Sequence, residues 1–190
     1  MYAYRRMFQG FLIILLDFRF QQFDMLPDFI GYGMIFYGLQ QLAGQDDFFN
    51  KAKIPAGLLI FLSLPDFYQA NATNGLVEFN MSTIGWFYVA LGVIQSILIL
   101  VLVYYLSHGI LNLAENRGLE RLIHSARFRW NWFFGINAVL MGVTPFVMNI
   151  APGLLNVLTI PFIVLALVSF VLVLGLLSVA HKELGEDVQV

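Results

Sequence analysis

The dominant pattern in this chain is a long apolar run near its C-terminal end. From Trp130 to Ala180, 51 consecutive residues contain no Asp, Glu, Lys or Arg. As one helix at ~1.5 Å per residue the run would be roughly 77 Å long, more than twice the ~30 Å hydrocarbon core of a bilayer. It must therefore fold back. Asn149-Ile150-Ala151-Pro152-Gly153 is the natural turn, because proline and glycine punctuate helices. The pattern predicts spans over 132–150 and 154–180. Phe79 to Ala114 is uncharged as well, and its apolar part predicts a span over 84–106, with Ser82 or Thr83 as N-cap.

Upstream the apolar runs are shorter. Phe29–Gln45 is uncharged over 17 residues, the lower limit for a crossing helix, and predicts a span over 27–45. Segments 7–23 and 52–69 reach span length only by including Asp17 and Arg19 in one and Asp66 in the other, so each reads as a span or as a re-entrant or interfacial segment. Between the fourth and fifth spans, Leu119, Leu122, Ile123 and Ala126 recur at helical spacing among Arg117, Glu120, Arg121, His124 and Arg127. This predicts an amphipathic connector over 108–129 lying on the inner membrane surface. The expected fold class is all-α: a polytopic transmembrane helix bundle of about six spans, in one domain covering residues 1–190.

Composition agrees. Hydrophobic residues make up 59% and charged residues 12%, against a usual ~45–50% and ~25%. So few charges cannot clothe a soluble domain of 190 residues. Arg5 and Arg6 before an apolar stretch resemble the start of a signal peptide, but no small-residue cleavage site follows, which predicts an uncleaved first span. With six spans and both termini in the cytoplasm, Arg5, Arg6, Lys51, Lys53, Arg117, Arg121, Arg127, Arg129 and Lys182 fall inside and only Arg19 outside. That satisfies the positive-inside rule. Trp86, Trp130 and Trp132 fall at predicted span ends, as an aromatic belt requires. The net charge of −2 points to no nucleic-acid partner, and the lack of cysteine excludes disulfides and thiolate chemistry.

Three expected spans carry glycines seven apart: Gly31 and Gly38, Gly85 and Gly92, Gly135 and Gly142. Each pair lies on one helix face, and small residues let membrane helices approach closely. These are candidate packing faces, within the chain or towards a second copy or another partner. Pro145 and Pro161 should kink the last two spans. Among polar groups, Asp17, Arg19, Asp24 and Asp28 form the densest cluster, at the outer end of the first hairpin, where a tight turn brings Arg19 close to Asp24 or Asp28. Asp24 or Asp28 also suits the cap of the second helix. Arg117, Arg121, Arg127 and Arg129 form a candidate inner face for anionic lipid or a cytoplasmic partner. Within the spans, Gln95, Asn137 and Asn156 are the principal amides. His108, His124 and His181 are scattered, and no metal, cofactor or catalytic constellation is expected.

The string Asp24-Met25-Leu26-Pro27-Asp28-Phe29-Ile30-Gly31-Tyr32, after Asp17-Phe18-Arg19, resembles a hairpin in small multi-pass membrane proteins of Gram-positive bacteria. The resemblance spans roughly Gly10–Leu42, under a fifth of the chain. It implies a bacterial plasma membrane and carries over no activity or ligand. The expected function is a non-enzymatic scaffold or regulator of a membrane partner. The alternatives are a small transporter or channel subunit with an outward-facing polar pocket and, third, an intramembrane lipid enzyme. A cavity at the midplane lined by Gln95, Asn137 or Asn156 would favour transport.

Overall fold

The computed structural model describes residues 2–16, 19–20, 23–24, 28–64, 83–147 and 152–185. These form six helices: α1 (Ala3–Leu15), α2 (Asp28–Leu42), α3 (Asp47–Leu62), α4 (Thr83–Asn116), α5 (Glu120–Val147) and α6 (Pro152–Gly185). Between α1 and α2, β1 (Arg19–Phe20) and β2 (Phe23–Asp24) make a two-residue antiparallel ladder. Each helix packs against the next, and α6 returns to α1, so the six close a ring.

Local chemistry accounts for the joints. Asp46 caps α3, its carboxylate accepting from the Phe48 amide at 2.8 Å, while its other oxygen accepts from Asn112 on α4 at 3.2 Å. One residue thus starts a helix and ties it to a neighbour. Asp47, in the first turn, pairs with Lys51 one turn on at 2.7 Å. At the other joint Gly118 adopts φ 66°. The Leu119 amide donates to the Ala114 carbonyl and the Gly118 amide to the Glu115 carbonyl. This is a Schellman cap, which needs a residue free to enter the left-handed region.

That cap corrects the expected connector. Residues 108–129 are not one surface helix. Residues 108–116 complete α4, the cap reverses the chain, and 120–129 open α5. Leu122 and Ala126 are buried in the bundle core, so the amphipathic spacing marks the first turns of α5. Helix lengths also depart from expectation. The described helices α1, α2 and α3 have 13, 15 and 16 residues, short of the ~20 needed to cross a bilayer core. Among the described residues, two stretches are long and apolar enough to cross a membrane: Ala90–Asn116 in α4 and Leu158–Gly185 in α6. Helix α5 has 28 residues, but its first half carries Glu120, Arg121, Arg127 and Arg129. The expected turn at Asn149–Ala151 and the loop 65–82 lie outside the described residues.

The core is concentrated at one end of the ring. Tyr4, Met7, Leu42, Phe49, Ile110, Leu122, Leu177 and Leu184 are all buried there. The same end gathers the start of α3 and the end of α4 (Asp46–Asn112), the end of α4 and the start of α5 (Glu115–Arg127), and the start of α5 and the end of α6 (Arg121–Glu183). Elsewhere the ring turns aliphatic side chains outward. Ile160, Ile163, Val164, Leu167, Val168 and Val171 form one face of α6, and each is 43% to 69% exposed. Ile54, Leu58 and Phe61 form a similar face on α3.

Candidate functional site

The four inner arginines do not form one platform. Arg117 sits in the Schellman turn. Arg121 reaches Glu183 at 3.8 Å, and Arg127 donates to Glu115 at 2.7 Å across the α4–α5 hairpin. The Arg127–Glu115 pair is exposed on both sides, and Arg121 is exposed while Glu183 is only partly so; exposed pairs contribute about 0.2–1 kcal/mol. Arg129 turns inward, its guanidinium resting against the backbone of α6 at Gly175, where a side chain would collide with it. Gly175 therefore supplies the room for Arg129. No glycine spacing in the sequence signals this, because the partner is an arginine on another helix.

Several buried polar atoms at this end have no hydrogen-bond partner among the described residues: the Tyr4 hydroxyl, Ser107 Oγ, Arg129 Nη1 and His181 Nδ1. Burial pushes the Tyr4 hydroxyl well above its ordinary range, and the positive charge of Arg117 pulls the other way. Unpartnered buried groups are unusual and call for a cause, such as a ligand or water.

Two clefts stand out among the described residues, and the first holds one of these groups, Ser107. The first, between α4 and α5, has a volume of about 280 Å³ and is lined by Ser107, His108, Leu111, Ala126, Arg127, Trp130 and Asn131. The His108 ring is pinned on one side by Nδ1, 2.9 Å from the Tyr104 carbonyl one turn back. It lies 4.1 Å from the Tyr104 ring and 5.9 Å from Trp130, centroid to centroid. These aromatics form a fixed wall. The second is a wider groove of about 490 Å³ between α1 and α2, where the Arg6 guanidinium lies 4.5 Å above the Tyr37 ring. Neither cleft is lined by Gln95 or Asn137, and the side chain of Asn156 lies outside the described residues. Gln95 instead donates to the Leu62 carbonyl at the end of α3 at 2.8 Å, and Asn137 donates to Phe133 on its own helix.

At the opposite end, the ladder sets Arg19 and Asp24 as Cα partners, and Asp28 opens α2. Asp17 and the side chains of Arg19 and Asp24 lie outside the described residues. The glycine pairs divide. A Cβ on Gly31 would stand 2.8 Å from the Gly10 carbonyl oxygen, and one on Gly38 would stand 2.5 Å from Met7 Cγ, so both positions bind α2 to α1. A Cβ added at Gly92, Gly135 or Gly142 would meet nothing within 4 Å among the described residues. No close approach to them occurs among the described residues. Gly85 lies among residues whose side chains are outside the described set. Two contacts were not anticipated from spacing: Gly10 against Gly31 and Ile35, and Gly109 against the Phe49 ring.

His124 and Glu120 are exposed, and no cluster of three metal-ligating side chains occurs among the described residues. Comparison with family models, with curated proteins and with solved structures finds no match to this chain.

Proposed function

We propose that this chain is a six-span protein of the bacterial plasma membrane that scaffolds or regulates a membrane partner without catalysing a reaction, with its basic end and both termini in the cytoplasm. The observation that carries the membrane part is the outward aliphatic face of α6. Water would oppose such a face and hydrocarbon would solvate it. Supporting the scaffold part, the span amides Gln95 and Asn137 bond within the bundle rather than lining a cleft. Open space around Gly92, Gly135 and Gly142 gives a partner's helix a place to approach. In the six-span reading the short described helices α1–α3 cross together with flanking residues.

Two measurements test this. The chain has no cysteine, so single cysteines report sidedness directly. Asn74→Cys should react with an impermeant maleimide from outside the cell and His124→Cys only after permeabilisation; the reverse pattern overturns the orientation. A photo-crosslinking residue at position 135 or 142 should give a protein adduct of defined mass in intact membranes, while one at position 163 should give none. Lipid adducts alone at all three positions would sink the scaffold reading.

A further inference from the structure

We propose that the α4–α5 cleft is a phosphate-binding pocket, filled by the phosphate of an anionic lipid headgroup or of a soluble phosphorylated molecule. At about 280 Å³ it lies just below the usual range for drug-sized ligands of ~300–1,000 Å³, which suits a compact anion better than a cofactor. The inference requires only that the α4–α5 hairpin be formed, and it is independent of the number of spans and of the scaffold reading.

Three observations converge. The first is Ser107. The residue lines the cleft but is only 3% exposed, and its hydroxyl is buried with no partner among the described residues. A helical serine can bond back to its own turn, as Ser96 does to the Gly92 carbonyl. Ser107 does not, so its buried hydroxyl lacks a partner that a guest in the cleft would supply. The second is the donor set. Arg127, Trp130 and Asn131 surround the same cleft, and the indole N–H and guanidinium only donate. No carboxylate is among its described lining residues, and Glu115, the acid paired with Arg127, is not one of them. The lining therefore favours an acceptor-rich anion and opposes a cation. The planar fork of Arg127 matches phosphate oxygens, and its exposed pairing with Glu115 is weak enough to exchange. The third is placement. The cleft lies between the end of α4 and the start of α5, the stretch of chain that also carries Arg117, and positive charge there favours anions. The wall of His108 and Tyr104 keeps the pocket open without the guest.

The test is thermal unfolding of purified full-length protein in neutral detergent, with two probes titrated separately. One is inorganic phosphate at constant ionic strength; the other is phosphatidylglycerol in mixed micelles. A saturable rise in Tm is expected with at least one probe. Saturation with the lipid alone assigns a headgroup, and saturation with inorganic phosphate assigns a soluble source. Arg127→Gln should weaken the midpoint roughly tenfold, the worth of one charge-assisted hydrogen bond. Ser107→Ala should fold normally and weaken the same midpoint by a smaller factor. Arg121→Gln should leave it unchanged. The proposal is overturned if neither probe saturates. It is overturned equally if Arg121→Gln costs as much as Arg127→Gln, or if Ser107→Ala raises Tm with no change in midpoint.

Discussion

The α1–α2 and α4–α5 hairpins are built from similar apolar helices with glycines seven apart, yet they are held together in opposite ways. In α1–α2 the backbones touch: Gly10 nests against Gly31 and Ile35, and Gly38 against Met7 and Ala3. In α4–α5 the glycines at 92, 135 and 142 meet no neighbour among the described residues, and the hairpin is closed by the Gly118 cap, the Glu115–Arg127 pair and a wall of aromatic rings. The same spacing is thus a close-packed seam in one case and a face without a described neighbour in the other. Glycine spacing defines a helix face but not the direction in which that face points.

The contrast can be broken most sharply at Gly10. Its added Cβ would stand 2.5 Å from a backbone oxygen of Gly31, which cannot rotate away. Gly10→Ala should therefore destabilise by about 3 kcal/mol, the upper end for overpacking, read as a fall in detergent Tm. A loss under ~0.5 kcal/mol, the size of an ordinary surface substitution, would show that the seam is not close-packed. Gly92→Ala and Gly142→Ala should act in the opposite direction. With nothing to collide against, alanine in a helix interior gains about 0.5–1 kcal/mol over glycine, and Tm should rise. A fall would place an unseen close contact at those positions, as a homo-oligomer would. The smallest effect is expected at Glu115 and Arg127. A double-mutant cycle with Glu115→Gln and Arg127→Gln should give a coupling of about 0.2–1 kcal/mol that shrinks with added salt. A coupling that salt leaves unchanged would mean that the pair is shielded from solvent.

Much of the helical framework was legible. Fifty-one uncharged residues interrupted by Pro152-Gly153 cannot be one helix, and the structure begins α6 at Pro152. The apolar run after Thr83 became α4. What failed was the connector. Leu119, Leu122, Ile123 and Ala126 are amphipathic whether the helix lies on a membrane or begins a hairpin arm, and the spacing is identical in both. Gly118 was the discriminating residue, since glycine just past a helix marks a C-cap. In the candidate cleft, Ser107 and His108 were visible only as sequence neighbours; their partners Trp130 and Asn131 stand more than twenty residues away.

Along the chain alone, the balance of apolar and charged residues determined that this protein is helical and poor in water-facing surface, because the backbone must satisfy its own hydrogen bonds wherever water is scarce. It also determined where charge would accumulate, since long apolar runs push Arg and Lys into the joints. Only the tertiary structure decided which glycines touch a neighbour, that Arg129 turns inward over Gly175 while Arg127 stays at the surface, and that a buried serine faces a cleft rimmed by donors. Those outcomes depend on the rotation of each helix about its axis. That rotation is set by contacts between residues far apart in the chain, and no local spacing encodes it.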